Sequence, residues 1–248
     1  GDAASVTSPG ALTITTPAET RIKMNGTGNL HSLTVNHSSC VLFIHTDAAG
    51  ITVEGNLTIT AGQLSTMEQG GSDKNLTVTG TTTIGPNSGA ADQATLTCSD
   101  SPMSLGASET SSYAVRIAQG GTFVGGSGAH TIGSLEIVDN AAAKCTLTSG
   151  VTTISSERPS ENYNFVAYDG STLDNADGTV NFTGPTSQIY LQSSATVQSG
   201  EPRLHNVTIN SSGNTFNLGH HLTVEGNLTI TAGTLDTDSS NNRALTVG

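Results

Sequence analysis

Three aspartates, Asp169, Asp174 and Asp177, form the densest acidic cluster of the sequence, in the segment YDGSTLDNADG. Paired carboxylates can act as acid and base in glycoside cleavage, and carboxylate oxygens are the ligands that Ca²⁺ prefers. The spacing is not that of an EF-hand loop. In a similar segment 50 residues earlier, the equivalent positions are uncharged: Gln119, Val124 and Ser127. We therefore interpret the aspartates as turn residues, with a metal or catalytic site as the alternative.

A charged segment interrupted by proline lies just before this cluster, at Glu157-Arg158-Pro159-Ser160-Glu161. Such a segment predicts a loop that protrudes from regular structure, and loops on rigid scaffolds often carry binding residues. We expect a contact surface at Glu157, Arg158 and Glu161, and a second one in the stretch 93–112. The alternative is that both are simple connectors.

The cysteines do not indicate a metal site. Cys40, Cys98 and Cys145 are far apart, and the sequence has no CxxC spacing. A cysteine in a tight interior behaves as a small hydrophobic residue, so we expect three buried free thiols. The alternation in KCTLT predicts that Cys145 points inward.

Histidine and serine chemistry has no support either. Only His220 and His221 are adjacent, and successive residues of a strand point to opposite faces. His31 and His205 hold equivalent positions in two similar segments, which indicates a structural role. No GxSxG motif accompanies the many serines. We expect no catalytic residue, no metal and no cofactor.

Composition excludes two classes of partner. Eight Lys and Arg stand against 20 Asp and Glu, a net charge of -12, without any basic cluster that could neutralise phosphates. We therefore expect no nucleic acid. No apolar run has the length of a transmembrane helix, so we expect no membrane span. The first residue is Gly1 rather than Met, which suggests a processed protein or a portion of a longer one.

The elements that must position these residues come from a repeat. The eleven residues TVEGNLTITAG occur at Thr52–Gly62 and again at Thr223–Gly233. The patterns LHSLTV and LHNVTI precede the two copies, and a weaker third copy begins with IGSLEI at Ile132. Self-similarity of this kind indicates stacked units. We expect about three degenerate units, starting near residues 30, 132 and 204, in a continuous solenoid over 25–248 after a lead-in strand segment over 1–24.

The fold class follows from alternation and composition. Leu57 and Ile59 alternate with Thr58, the period of a strand with one buried face. Glu54-Gly55-Asn56 can turn the chain sharply, because Gly and Asn tolerate left-handed backbone. The chain has only nine Phe and Tyr and no Trp, which suits a narrow interior. We predict an all-β parallel β-helix or solenoid; an array of antiparallel β-sandwich modules is the alternative.

The order GTVNFTG, HNVTIN, HLTVEGNLTITAGTLDT and ALTVG resembles the repetitive β-solenoid surface and fibre proteins of bacteriophages and bacteria. The resemblance is good over 178–248, fair over 30–85 and loose between them. It implies a structural role and a β-solenoid, while the repeats themselves do not specify an activity.

We therefore expect a structural module exposed on a virion, such as a phage fibre or a capsid-decorating protein, with attachment to a host or glycan through loops. A homo-oligomer, for example a trimer, or other virion subunits would be the partners. The alternatives are a bacterial adhesin or surface-layer segment, and a carbohydrate-active β-helix enzyme. The stop at residues 245–248, inside a strand of the repeat, predicts a longer chain or a partner over this edge.

Overall fold

The computed structural model describes residues 4–5, 10–17, 19–24, 29–46, 50–67, 73–90, 92–106, 112–192, 202–238 and 240–248. Within these ranges the regular structure is all β, and no helix occurs. A helix long and apolar enough to cross a membrane is accordingly not found in the described ranges.

The strands are short and follow one another closely. In chain order they are β1 (Ala4–Ser5), β2 (Ala11–Ile14), β3 (Glu19–Met24), β4 (Asn29–Leu30), β5 (Ser32–Thr46), β6 (Gly50–Val53), β7 (Leu57–Ser65), β8 (Asn75–Val78), β9 (Thr82–Ile84), β10 (Ala94–Thr97), β11 (Met103–Leu105), β12 (Val115–Ile117), β13 (Gly121–Val124), β14 (His130–Ile132), β15 (Leu135–Ile137), β16 (Lys144–Thr146), β17 (Val151–Ile154), β18 (Tyr163–Ala167), β19 (Thr172–Asp174), β20 (Thr179–Phe182), β21 (Ser187–Leu191), β22 (Asn206–Leu218), β23 (Leu222–Val224), β24 (Leu228–Asp236) and β25 (Leu245–Val247). Most of them have two to six residues and leave one to three side chains for the interior. The longer strands, β5, β7, β22 and β24, have 9 to 15 residues because each runs over two strand positions of the coil.

The chain passes through three strand positions and then returns to the first, one coil further on. Face A consists of β2, the first parts of β5 and β7, β9, β12, β15, β18, β21 and the second parts of β22 and β24. Face B consists of β1, β3, the second parts of β5 and β7, β10, β13, β16 and β19, and of β23 and β25, which hold the same place in chain order. Face C consists of β4, β6, β8, β11, β14, β17, β20 and the first parts of β22 and β24.

The pairing confirms the predicted parallel β-solenoid. Every pairing between the strands given above is parallel, so the alternative of antiparallel β-sandwich modules is wrong. Short strands at regular spacing suit both architectures, and only the corners distinguish them. A chain that turns by a third of a coil at each corner brings parallel strands together, whereas a hairpin would make them antiparallel. The antiparallel bridge between Arg158 and Tyr163 closes a loop outside the stack.

The core is a set of aliphatic ladders, one residue per coil. A typical one on face A consists of Val35, Ile59, Ile84, Ile117 and Ile137, all fully buried. Adjacent rungs are about 4.8 Å apart, the spacing of paired strands, so each side chain packs against one above and one below. This interior is narrow, as the low aromatic content predicts.

One core ladder of face C contains polar rungs. His130 lies between Met103 and Thr152 and is almost fully buried. Its Nδ1 accepts a hydrogen bond from the Met103 amide (3.3 Å), and its Nε2 lies 2.5 Å from the Gly125 carbonyl oxygen. Burial lowers the pKa of this imidazole, although the Gly125 hydrogen bond opposes the shift. The neutral ring therefore satisfies both nitrogens inside the stack.

The predicted lead-in and unit starts can be placed in the stack. In the described part of 1–24, β2 and β3 both pair in parallel with β5, so this segment forms the first rungs of the same solenoid. The unit starts near 30 and 132 fall on face C, in β4 and β14. The start near 204 falls where Leu204 bridges Val224 of β23, on face B. The units of the sequence repeat thus begin on different faces, and a unit does not correspond to a whole number of coils.

Face C is uncharged on its outer side. Its strand segments contain no Asp, Glu, Lys or Arg within the described ranges, although the chain carries a charge of -12. Its central outward residues form one ladder of small polar side chains: Thr52, Thr77, Ser104, Thr131, Thr153, Asn181, Thr208 and Thr229. Charged strand residues lie on the other two faces, and the partly exposed tyrosine rings lie on face A.

Candidate functional site on face A

The outward ladder of face A changes its chemistry in the middle of the stack. Thr34, Thr58 and Thr83 continue in register into Arg116 and Glu136. Val166 and Tyr190 hold the next two rungs. The outward positions of a strand do not have to fill the core, so this break in the threonine ladder is not required by the fold.

A charged groove occupies the first half of this region. It encloses a cavity of about 320 Å³, lined by Thr81, Thr83, Ser112, Tyr113, Arg116, Glu136 and Arg158. Arg116 Nε donates to Glu136 Oε2 at 2.8 Å on neighbouring coils, and both side chains are partly exposed. The floor of the groove is therefore an ion pair whose remaining donors and acceptors face solvent.

The predicted charged loop forms one wall of the groove. The Arg158 amide donates to the Tyr163 carbonyl (2.7 Å), and the Asn162 amide donates back to the Arg158 carbonyl (2.9 Å), which makes a tight turn over 158–163. Asn162 adopts the left-handed conformation that this turn needs (φ 59°). Arg158 Nη1 pairs with Glu161 Oε2 at 2.7 Å. A charged loop is thus present at the predicted position. Binding of a ligand by this loop stays a prediction.

Tyr113 anchors this loop from below. Its ring lies 5.1 Å from the Arg158 guanidinium carbon, and its hydroxyl donates to Glu161 Oε2 (3.2 Å). Only 3% of Tyr113 is exposed. Burial, and then the charges of Glu161 and Glu136, raise the pKa of Tyr113, so the phenol stays protonated and remains a donor. Arg158 Nε is itself buried without an acceptor.

Glu157 differs in its partners from Glu161, the other carboxylate of the loop. Burial raises the pKa of its carboxyl group, and no cation pairs with it in the described ranges. The Asn162 side-chain amide donates to the Glu157 carboxylate and to the Thr186 carbonyl oxygen (3.0 Å) in the amide orientation that satisfies both groups. This contact ties the loop to the next coil.

An aromatic platform, defined by Tyr163, Tyr168, Tyr190 and His220, occupies the second half of the region. The Tyr190 ring centroid lies 5.6 Å from that of Tyr163, 5.8 Å from that of Tyr168 and 5.8 Å from that of His220. The three tyrosines are partly exposed. Val166 points outward between them and is nonetheless buried, because the rings cover it. Burial raises the pKa of Tyr163 and of Tyr168.

Gly219 makes room for the centre of this platform. It follows β22 on the coil next to Tyr190, and its amide donates to the Ile189 carbonyl at 2.9 Å. A Cβ atom at Gly219 would lie 2.7 Å from Tyr190 Cδ2. The absence of a side chain at this position therefore determines where the Tyr190 ring can lie.

All four tyrosines of the chain thus meet on one face, a feature that the sequence analysis missed. They are spread over 113–190, and no pattern links them until the length of each coil is known. Irregular coils separate β9 from β12 and β15 from β18, so the tyrosine positions have no constant spacing. The only signal in the sequence was that tyrosine, a rare residue type in this chain, occurs solely within 113–190.

The three aspartates lie at two turns, one after β18 and one between β19 and β20. Asp169 lies in the turn after β18, where the Ser171 amide donates to the Tyr168 carbonyl. Asp174 Oδ1 accepts from the Ala176 amide (3.0 Å), and Asp177, with φ 56°, has 86% of its side chain exposed and lies 3.5 Å from His205 Nδ1. No group of three or more His, Cys, Asp or Glu able to hold a metal ion is present in the described ranges. The structure gives each of these aspartates a place in a corner of the coil.

The cysteines lie in the core as free thiols, as predicted. Cys40, Cys98 and Cys145 are buried and unbridged. Cys145 points inward between Phe123 and Leu173 of the neighbouring coils, which confirms its predicted orientation. Burial raises the pKa of the Cys98 and Cys145 thiols, so they are poor nucleophiles.

No protein-family model, no curated protein and no solved structure matches the chain in comparisons with known proteins. A fold does not by itself fix a function. The groove and the platform of face A, together with the stack that holds them, are therefore the features from which a function can be inferred.

Proposed function

We propose that this chain is a structural module exposed on the surface of a virion, such as a phage fibre or a capsid-decorating protein. The observation that carries the proposal is the parallel stack itself, in which backbone ladders and aliphatic ladders run from coil to coil. Such a stack resists bending and proteolysis because each coil is held by both neighbours. The likeness of its repeats to fibre proteins of bacteriophages points the same way.

The module would present its loops and face A to the outside. Attachment to a host receptor or glycan would use the loop at Glu157, Arg158 and Glu161, which the Tyr113 ring and the Asn162 amide hold in place. Sites on rigid scaffolds bind with little loss of conformational entropy. Copies of the chain, for example three, or other virion subunits would supply the remaining contacts.

Identification of the native assembly tests this proposal. We expect an antibody against the chain to isolate particles in which mass spectrometry finds capsid or tail proteins, and native mass to show the number of copies. Secretion or cell-wall proteins in the isolated material, without capsid or tail proteins, would instead establish the adhesin or surface-layer alternative.

The enzyme alternative makes a different prediction about the aspartates. Asp174 and Asp177 contact turn amides and a histidine rather than each other, so we expect no turnover of acidic or neutral polysaccharides. If the chain does cleave a polysaccharide, Asp174→Asn and Asp177→Asn variants show whether these carboxylates are responsible. A cleavage activity that either variant abolishes would overturn the structural proposal.

A further inference from the structure

We propose that the groove and the aromatic platform form one binding site for a neutral sugar chain, which lies along face A and crosses the coils. The inference names the ligand class for the attachment role proposed above and in that sense rests on it. Two independent features carry it: a cavity with paired charges, and partly exposed tyrosines next to that cavity.

The length and direction of the site suit a chain rather than a single sugar. From Thr83 through Arg116, Glu136 and Val166 to Tyr190, the outward ladder covers four strand spacings, about 19 Å. Groove and platform lie in one line along this ladder. An extended oligosaccharide of several residues would contact both, whereas a monosaccharide would contact only one.

The tyrosine platform provides the apolar contacts. Tyrosine is amphipathic, with an apolar ring and a polar hydroxyl, and is favoured where a surface binds a partly apolar ligand. The C–H faces of sugar rings are such a surface. Tyr190 contacts the Tyr163 ring edge to face and the Tyr168 ring at a tilt, so these rings are already ordered before a ligand arrives.

The charges of the groove indicate a neutral ligand. Arg116 is paired with Glu136, and Arg158 with Glu161, so the positive charge of each guanidinium is already balanced by a carboxylate of the protein. The paired groups keep further N–H donors and carboxylate lone pairs, which sugar hydroxyls can use in both directions. The net charge of -12 also repels polyanions.

Tyr113 acts as a positioning residue in this arrangement. Its ring supports the Arg158 guanidinium, and its hydroxyl holds Glu161, while only 3% of the residue is exposed, so it offers a ligand little contact surface of its own. A Tyr113→Phe variant keeps the ring and loses the hydroxyl. We expect it to weaken binding about threefold through the released Glu161, with the thermal midpoint little changed.

The test uses the full 248-residue chain and calorimetric titration with cellohexaose, xylohexaose, mannohexaose and maltohexaose, and with hexagalacturonate as the acidic counterpart. We expect at least one neutral hexasaccharide to bind and hexagalacturonate to bind more weakly or not at all. Tyr190→Ala should weaken binding about tenfold, because it removes the centre of the platform.

Two further variants keep the test sharp. Gly219→Ala changes none of the tyrosines themselves but puts a methyl group 2.7 Å from Tyr190 Cδ2, so it should displace the Tyr190 ring and weaken binding as well. Thr153→Ala on the uncharged face C is the matched control and should bind like the wild type. Circular dichroism and thermal midpoints confirm that all variants are folded.

The inference is overturned if no neutral hexasaccharide binds at millimolar concentration, if hexagalacturonate binds more tightly than all of them, or if Tyr190→Ala and Gly219→Ala bind as tightly as Thr153→Ala. The composition of the native particle is measured independently. A virion protein without sugar binding would refute only the inference, and a sugar-binding protein found apart from virions would refute only the proposed function.

Discussion

The two copies of TVEGNLTITAG have the same sequence but different places in the stack. In the first copy the TV pair ends β6 on face C, and LTI begins β7 on face A. In the second copy the TV pair ends β23 on face B, and LTI begins β24 on face C. The two corners have the same sequence but join different pairs of faces. The sequence of a corner therefore does not determine which faces it connects.

The local structure of the two copies is nevertheless alike. The Glu54 and Gly55 amides donate to the carbonyls of Leu30 and His31 on the preceding coil, at 2.7 and 2.6 Å. In the second copy the same bonds join Glu225 to Leu204 and Gly226 to His205, at 2.9 and 2.8 Å. The corner is therefore a property of the LH and EGN segments stacked on one another, which explains why His31 and His205 are equivalent.

Burial separates the two copies. Ile59 packs between Val35 and Ile84 of the neighbouring coils and is 0% exposed. The equivalent Ile230 packs against Ile209 on one side and is 51% exposed. The hydrophobic contribution of one side chain in a solenoid is therefore set by the number of coils that touch it.

The largest difference in stability between the two copies should appear when each of these isoleucines is truncated to alanine. We expect Ile59→Ala to lower the free energy of unfolding by about 2 to 5 kcal/mol, because it leaves a cavity between two coils. Ile230→Ala should cost less than about 1 kcal/mol, because most of the lost surface is already in water. Urea denaturation followed by circular dichroism measures both.

Leu57→Ala, next to Ile59 and equally buried, serves as the companion variant and should resemble Ile59→Ala. Equal losses for Ile59→Ala and Ile230→Ala would mean that another coil or another copy covers the end of the stack in solution. That result would refute the view that the two copies differ only in the number of coils that touch them.

A smaller effect is expected at the glycines that bend the long strands. Gly62 and Gly233 have nearly the same backbone conformation, with φ of 88° and 92°. Alanine at either position should cost about 1 to 2 kcal/mol locally, because L residues disfavour this conformation. A Cβ atom would also crowd a backbone carbonyl oxygen at both positions, that of His37 at Gly62 and that of Ser211, at 2.5 Å, at Gly233.

Amide hydrogen exchange shows which strands each glycine substitution destabilises. Gly62→Ala should reduce amide protection in β5, β7 and β9 together, since these strands hold one another. Gly233→Ala should reduce it mainly in β24, because this coil can open without disturbing the coils before it. Loss of protection throughout the stack from Gly233→Ala would show that the coils do not open separately.

The same comparison explains what the sequence can predict. Alternation in LTI and the glycine of EGN depend on neighbours along the chain, so strands, corners and the inward direction of Cys145 were predictable. The face on which a strand lies depends on how many strands precede it. That number cannot be counted from the sequence where a coil is irregular, as in the coil that contains the 158–163 loop. The meeting of Tyr113 with Arg158, and of Tyr168 with Tyr190, depends on the same number and was not predictable.

The smallest effect concerns the acidic residue at each corner. Among the described residues, the Glu54 carboxylate accepts one hydrogen bond, from the Asn29 side-chain amide at 2.8 Å. Glu225 accepts one from Asn175 at 2.8 Å and one from Arg203 at 3.1 Å. These hydrogen bonds, together with the charges of Arg203 and His205, hold the pKa of Glu225 below its ordinary value.

A lowered pKa in the folded state means that the unfolded chain binds more protons as the pH falls. The stabilisation by Glu225 is therefore complete above the ordinary glutamate pKa and is lost as the pH falls through and below it. Glu225→Gln should lower stability at pH 7 by less than about 1 kcal/mol, as is usual for a partly exposed ion pair, while Glu54→Gln should be neutral. Thermal midpoints at pH 7 and pH 3 check this: the difference between Glu225→Gln and the wild type should be smaller at pH 3 than at pH 7. A deficit that persists undiminished at pH 3 would assign the effect to packing at the corner rather than to its charge.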